Sequence, residues 1–230
     1  MKNISIYSFL LLTLLLLTST RQSQAQQQRI RGPRLGVDVS GLAWHYAEPG
    51  QLSVAVSMDM EVMPAIYAAV EAGRLRVNRE QQIFRYQAQG YYAKIGADYN
   101  FMQQKLSGAT RYDMIYGGLR FGAASFSHHA DRVNIENGYW GTYPGESLSE
   151  YTMQAYWTEL VAGIRVEALK NIFLGWSIRG QLMLSNDKDP RMNSWMIPGF
   201  GKNTGSTSLS FTYSIAYRIP LYRVPAGKRE

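Results

Sequence analysis

Leu209, Phe211, Tyr213, Ile215, Tyr217 and Ile219 occupy every second position near the C-terminal end, and Ser210, Thr212, Ser214, Ala216 and Arg218 fill the gaps between them. Side chains on a strand project alternately to its two faces, so this period marks a strand that meets a different medium on each side. The same alternation recurs upstream. Leu52, Val54, Val56, Met58 and Met60 alternate with Ser53, Ala55, Ser57, Asp59 and Glu61. Tyr156, Leu160, Ala162, Ile164 and Val166 oppose Glu159, Gly163, Arg165 and Glu167, and Ile172, Leu174, Trp176, Ile178, Leu182 and Leu184 oppose Gly175, Ser177, Arg179 and Gln181.

The period predicts eight strands, near 34–44, 52–61, 65–75, 88–100, 112–126, 153–167, 171–184 and 207–219. Each has roughly the ~9–11 residues that a tilted strand needs to cross a bilayer. The connections near 62–64 and 168–170 are short, whereas those near 127–152 and 185–206 are long and rich in Gly, Pro, Ser and Asn; the segment near 101–111 is longer than a turn requires. Short turns on one side and long loops on the other are the habit of outer-membrane barrels, and an even strand number returns both termini to the periplasm. The expected fold is all-β: an eight-stranded antiparallel up-and-down transmembrane β-barrel over 34–221, preceded by a periplasmic segment, 26–33, and followed by a basic tail, 222–230. A soluble lipocalin-type barrel would alternate in the same way but turn its large apolar side chains inward. The many charges on the polar face, and Tyr91, Tyr99, Phe101, Tyr213 and Tyr217 near strand ends as in interfacial girdles, favour the membrane.

Lys2, the apolar run Phe9 to Leu17 and the polar stretch ending in Ser23-Gln24-Ala25 have the layout of a secretory signal peptide over 1–25, cleaved after Ala25. The apolar run is shorter than the ~20 residues of a spanning helix, so the expected location is the cell outer membrane, reached by export. The absence of cysteine excludes a lipidated N-terminal cysteine, disulfides, thiolate metal sites and cysteine catalysis. The formal charge is +7, with basic residues at both ends: Arg29, Arg31 and Arg34, then Arg218, Arg223, Lys228 and Arg229. Anionic lipid headgroups account for this charge; nucleic acid is not an expected partner of an exported chain that carries no binding motif for it.

An eight-stranded barrel is too narrow for a wide aqueous channel, so its inward side chains must fill it. The inward charges are Asp38, Asp59, Glu71, Asp98, Glu159 and Glu167, facing Lys94, Arg120, Arg165, Arg179 and Arg218. A buried unpaired charge costs several kcal/mol, so this near-balance predicts a plug of interlocked ion pairs. A conduit would instead show one sign in excess or a lining of small polar residues. Gly90, Gly96, Gly118, Gly122, Gly163 and Gly175 on the same face leave room for guanidinium groups.

Catalysis has one arrangement to weigh. His45, His128 and His129 are the only histidines, and the last two adjoin Ser125 and Ser127. A serine, a histidine and an acid such as Glu136 or Glu159 could make a lipid hydrolase, but adjacent residues on a strand face opposite ways, so Ser127 and His128 could meet only in irregular backbone; Ser125 with His128 and Ser127 with His129 are better spaced in sequence. No metal or cofactor is expected: His128 and His129 lack converging ligands, and Asn186 to Asp189 falls short of a calcium loop.

The strings GYYAKIGADYN (Gly90 to Asn100), FLGWSIRG (Phe173 to Gly180), IPGFGK (Ile197 to Lys202) and YSIAYRIP (Tyr213 to Pro220) resemble an uncharacterised domain family of small outer-membrane barrels of the Bacteroidota type. The resemblance covers 34–221, implies an eight-stranded envelope protein, and transfers no catalytic residues. The functional expectation is a non-catalytic structural or interaction subunit of an envelope assembly, such as outer-membrane protein biogenesis. Its partners would be outer-membrane lipids and other outer-membrane or periplasmic proteins. Tyr139, Trp140 and Tyr143 in one long loop and Trp195 and Phe200 in the other are the candidate contact residues, since exposed loop aromatics favour interfaces; the competing expectation is that they fold back and cap the barrel. Two alternative functions stay open at this stage: a narrow channel or small apolar-solute carrier, and a lipid-modifying hydrolase using Ser127 and His129.

Overall fold

A computed structural model describes residues 28–47, 50–80, 85–102, 112–131, 134–137, 141–144 and 147–225. The expected signal peptide, most of the segment near 101–111 and the end of the basic tail lie outside these residues. The elements in chain order are β1 (Gln28–Arg31), β2 (Arg34–Asp38), α1 (Ser40–Ala47), β3 (Gln51–Met63), β4 (Ile66–Glu80), β5 (Arg85–Asn100), β6 (Met114–Asp131), β7 (Asn134–Asn137), β8 (Gly141–Pro144), β9 (Leu148–Leu169), β10 (Ile172–Asn186), β11 (Met196–Ile197), β12 (Gly201–Lys202), β13 (Thr207–Arg218) and β14 (Tyr222–Pro225). Two units divide the chain. Residues 1–30 with 223–230 form the first, and its described part belongs to the two-stranded sheet of β1 and β14; residues 31–222 form the second.

In the second unit, β2, β3, β4, β5, β6, β9, β10 and β13 close into a barrel, each antiparallel to its neighbours. The cross-strand path that leaves Tyr217 for Leu35, Met58, Val70, Ile95, Phe121, Thr158 and Leu182 returns to β13 at Thr207, a stagger of ten residues. Such a stagger tilts the strands against the barrel axis, which closure of a sheet requires.

The outer surface is the apolar one. Val56, Ile95, Leu119, Leu160, Leu182 and Leu209 stand exposed, while the residues beside them on the inner face, such as Lys94, Arg120 and Glu159, are buried. A protein surrounded by water has the reverse arrangement, so this belt faces hydrocarbon. Among the described residues no helix is long and apolar enough to cross a membrane.

The strands differ from expectation in three respects, the first being that β4 runs on to Glu80 instead of ending near 75. β6 and β9 run for 18 and 22 residues, well past the ~9–11 that span a bilayer. Their far ends turn polar outwards, through Ser125, Ser127, His129, Glu150, Thr152 and Gln154. Once a strand rises clear of lipid its outer face need not be apolar, and the alternation fades while the ladder continues.

The expected strand 34–44 stops at Asp38. The Asp38 carboxylate accepts from the Ser40 N–H at 2.8 Å and from the Ser40 hydroxyl at 2.5 Å, a local turn that draws the backbone out of the sheet and starts α1. The tight turns at Pro64-Ala65 and Lys170-Asn171 place Ala65 and Asn171 at φ of 67° and 65°, a left-handed conformation that Asn tolerates better than most residues.

Candidate functional site

The lumen holds the densest chemistry in the molecule, in successive layers. At the end near the tight turns, Asp59 on β3 accepts from Arg34 Nε at 2.6 Å and from Arg165 Nη1 at 2.7 Å, the latter reaching across from β9. Arg218 donates to Glu167 at 3.0 Å and to the Asn171 side-chain oxygen at 3.1 Å. Its guanidinium lies 3.7 Å from the Tyr112 ring centre, and Phe173 is shared between Arg34 at 5.5 Å and Arg218 at 5.0 Å. Ring faces carry negative quadrupole charge, so these aromatics help hold cations that water has left.

In the middle layer Arg179 donates to both oxygens of Glu71, at 2.7 and 3.1 Å, a bidentate pair. Arg120 donates to Asp98 at 2.8 Å and lies 3.6 Å from Glu71. Glu159 is the hub: one oxygen accepts from Trp157 Nε1 at 2.7 Å and Gln181 Nε2 at 2.7 Å and lies 2.6 Å from Lys94 Nζ, while the other accepts from Arg179 at 3.4 Å. This is how a carboxylate with no exposed surface stays satisfied.

Above it the connection between β10 and β13 turns into the barrel. The Gly199 carbonyl accepts from Lys94 at 3.0 Å and from Gln181 at 2.9 Å. Gly199 has φ of +75°, and a Cβ there would lie 2.6 Å from the Tyr92 ring, so only glycine fits both backbone and space. Ile197 and Phe200 bury themselves among Tyr92, Phe126, Met153 and Trp157. At the rim His128 Nε2 lies 3.1 Å from Asp189, and the Trp195 N–H donates to Tyr86 Oη at 3.2 Å. Hydrogen bonds from Arg191 hold the Asp189 carboxyl below the usual aspartate range.

Ten of the eleven charges expected in the lumen take part in these pairs. Asp38 is the exception: it lines the lumen but serves the start of α1, and it makes no ion pair among the described residues. Arg34, grouped by sequence with the basic N-terminal end, belongs to the network; its register, two residues before Gly36 and four before Asp38, was the available signal.

Of the two expected contact residues in the connection between β10 and β13, Phe200 is corrected, whereas Trp195 stays half-buried at the rim. Phe200 is 1 % exposed, and Trp195 packs against Tyr86 with Arg79 4.4 Å above its ring. These aromatics cap the lumen because burying them in the barrel mouth removes apolar surface from water. Tyr139 and Trp140 lie outside the described residues, and Tyr143 sits on β8, paired with β7. Ser127 donates to Glu150 at 2.5 Å while His129 Nε2 lies 3.4 Å from Asp131, so serine and histidine engage different acids. His128 points inward, away from Ser125.

A closed barrel with a lipid-facing exterior and a lumen filled by ion pairs and an inserted loop is a transmembrane β-barrel of the outer-membrane class. Within that class the chain belongs to the family described as Domain of unknown function (DUF6048), whose model matches residues 1–224. Solved structures similar to it include a major outer membrane protein from Thermus thermophilus, with TM-score 0.47 and 12% identity over 83% of this chain and 100% of that one. Ail, the attachment invasion locus protein of Yersinia pestis, gives 0.44 and 10% over 83% and 100%. The N-terminal β-barrel domain of Pseudomonas aeruginosa OprF gives 0.39 and 11% over 84% and 100%. No curated protein matches the sequence.

Proposed function

We propose that the protein is a non-catalytic, non-conducting barrel that serves as a structural or interaction subunit of an envelope assembly. The observation that carries the reading is the double grip of Lys94 and Gln181 on the Gly199 carbonyl, which seats Phe200 over the ion-pair layers. A lumen so filled leaves the work of the protein to its outer surfaces. β6 and β9 extend beyond the lipid belt with a polar outer wall, including the Ser127–Glu150 and His129–Asp131 pairs, and that wall is accessible to another envelope protein.

Two measurements test this. In planar lipid bilayers the unmodified protein is expected to give no unitary current steps; discrete steps would overturn the non-conducting reading in favour of a narrow channel. Crosslinking of a tagged protein in isolated outer membranes, followed by gentle solubilisation and mass spectrometry, is expected to recover a stoichiometric partner set. Recovery of the barrel alone would overturn the subunit reading.

A further inference from the structure

Two cations on the outer wall have no counter-charge. Arg74 and Arg76 on β4 continue the outward face of Val70 and Ala72 and are exposed, while Leu75 and Val77 beside them are buried. On β3 they stand opposite Val54 and Leu52, and on β5 opposite Tyr91 and Gln89. The Arg74 guanidinium lies 5.2 Å from the centre of the Tyr91 ring, and among the described residues neither arginine pairs with a carboxylate. The lumen arginines, by contrast, each have an acid partner. The acids that share this wall lie further out. Glu80 is four residues beyond Arg76, about 13 Å along the strand, and it stands in register with Arg85, which in turn faces Asp131.

The belt sets their depth. β4 begins at Ile66 beside a tight turn, and Arg74 follows eight residues later. At about 3.3 Å per residue and a tilt near 40° that is about 20 Å along the barrel axis, close to the ~25 Å height of a lipid-facing band. Nearer the turn, Val56, Val70 and Ile95 are exposed and apolar, and Tyr91, 62 % exposed, sits as a girdle aromatic does. Beyond Arg76 the outward residues of β4 are Asn78 and Glu80. Arg74 and Arg76 thus stand where the apolar wall gives way to a polar one, on the side of the long connections, which is the outer leaflet. Successive outward positions on a strand are about 7 Å apart, so two side chains of this length can close on one group.

From the unpaired cations and their depth together we infer a binding site for the phosphate of an outer-leaflet lipid. A guanidinium presents its N–H groups as a planar fork that matches phosphate oxygens in pairs, and two forks on one face bracket a single headgroup. The Gln89 amide, opposite Arg76, adds a donor. The acyl chains run down the wall over Val54, Val56 and Val70, all exposed. A lipid is the occupant because the pair is flanked by apolar wall, with Leu52 and Val54 on one side and Tyr91 on the other, and an anion carried on hydrocarbon satisfies both the charge and the wall. The site adds a lipid contact on β4 and β5 to the polar wall of β6 and β9, and it does not depend on the subunit reading.

The test uses the full barrel in phosphatidylcholine nanodiscs doped with an acylated, phosphorylated glucosamine disaccharide, or with the same lipid after phosphatase treatment, read by native mass spectrometry. Retention of the phosphorylated form at least about tenfold above the dephosphorylated one is expected, the worth of one charge-assisted hydrogen bond. Arg74→Gln/Arg76→Gln should remove the preference, and Arg74→Lys/Arg76→Lys, which keeps the charge without the fork, should keep part of it. Equal retention of the two lipids, or an unchanged preference in the Gln variant, overturns the site; displacement by millimolar inorganic phosphate shows a free-phosphate site and overturns the lipid assignment. The chain has no cysteine, so Arg76→Cys carrying a fluorophore reads the depth separately. Quenching by phosphatidylcholine brominated close to its headgroup is expected, and its absence overturns the membrane placement. A photoreactive group on the same cysteine should label lipid in isolated outer membranes; labelling of protein alone overturns the lipid occupant.

Discussion

Lys94 and Gly199 meet although 105 residues separate them: the lumen ammonium donates to the loop carbonyl at 3.0 Å while lying 2.6 Å from Glu159. One cation thereby fastens the wall, the hub carboxylate and the plug. Replacing Lys94 with Met should cost about 3 kcal/mol, the lower end for breaking a buried pair, because Arg179 still faces Glu159. Adding Glu159→Gln should cost less than the sum of the two single changes. Urea unfolding in detergent micelles, followed by tryptophan fluorescence, measures both.

Asp59 neutralises two guanidinium groups, and among the described residues neither Arg34 nor Arg165 has another carboxylate at comparable distance. Asp59→Asn should therefore destabilise by about 3–5 kcal/mol, and Arg34→Gln by clearly less, since Arg165 would keep its partner. The order of the two midpoints in the same urea titration is the check.

Gly199→Ala forces a side chain into a left-handed backbone, at about 1–2 kcal/mol, and against the Tyr92 ring. The expected outcome is a raised plug within an intact barrel. Trypsin should then cut at Arg191 and Lys202 faster than in the unaltered protein, with no loss of the β-sheet signal in circular dichroism.

Asp189 adds a pH dependence. Its carboxyl is held below the ordinary value of 3.8 in the folded protein, so the folded state binds the proton less readily than the unfolded one. The stabilisation is therefore present above that value and is lost as pH falls below it, through the folded pKa. Protease sensitivity of the 187–206 connection should rise on acidification in that range, and Asp189→Asn should weaken the dependence.

Much of the wall was legible because lipid on one face and paired charge on the other impose a two-residue period, as at Leu160 beside Glu159. The end of β2 left only a slip of phase, Leu42 and Trp44 falling on the even positions of the inward Gly36 and Asp38, while the carboxylate of Asp38 turns the chain by a purely local bond. The burial of Phe200 left no periodic trace, since it depends on Lys94 and Gln181 reaching one carbonyl from two other strands. The outer lengths of β6 and β9 were hidden for the opposite reason, as Ser127 and His129 need no apolar character above the bilayer.

The plug belongs to the last connection of the barrel, between β10 and β13, and its anchors lie on β5 and β10. Seal and closing strand therefore arrive together during biogenesis. A chain halted before its final hairpin would be not a smaller version of this protein but an open trough with its inward charges laid bare.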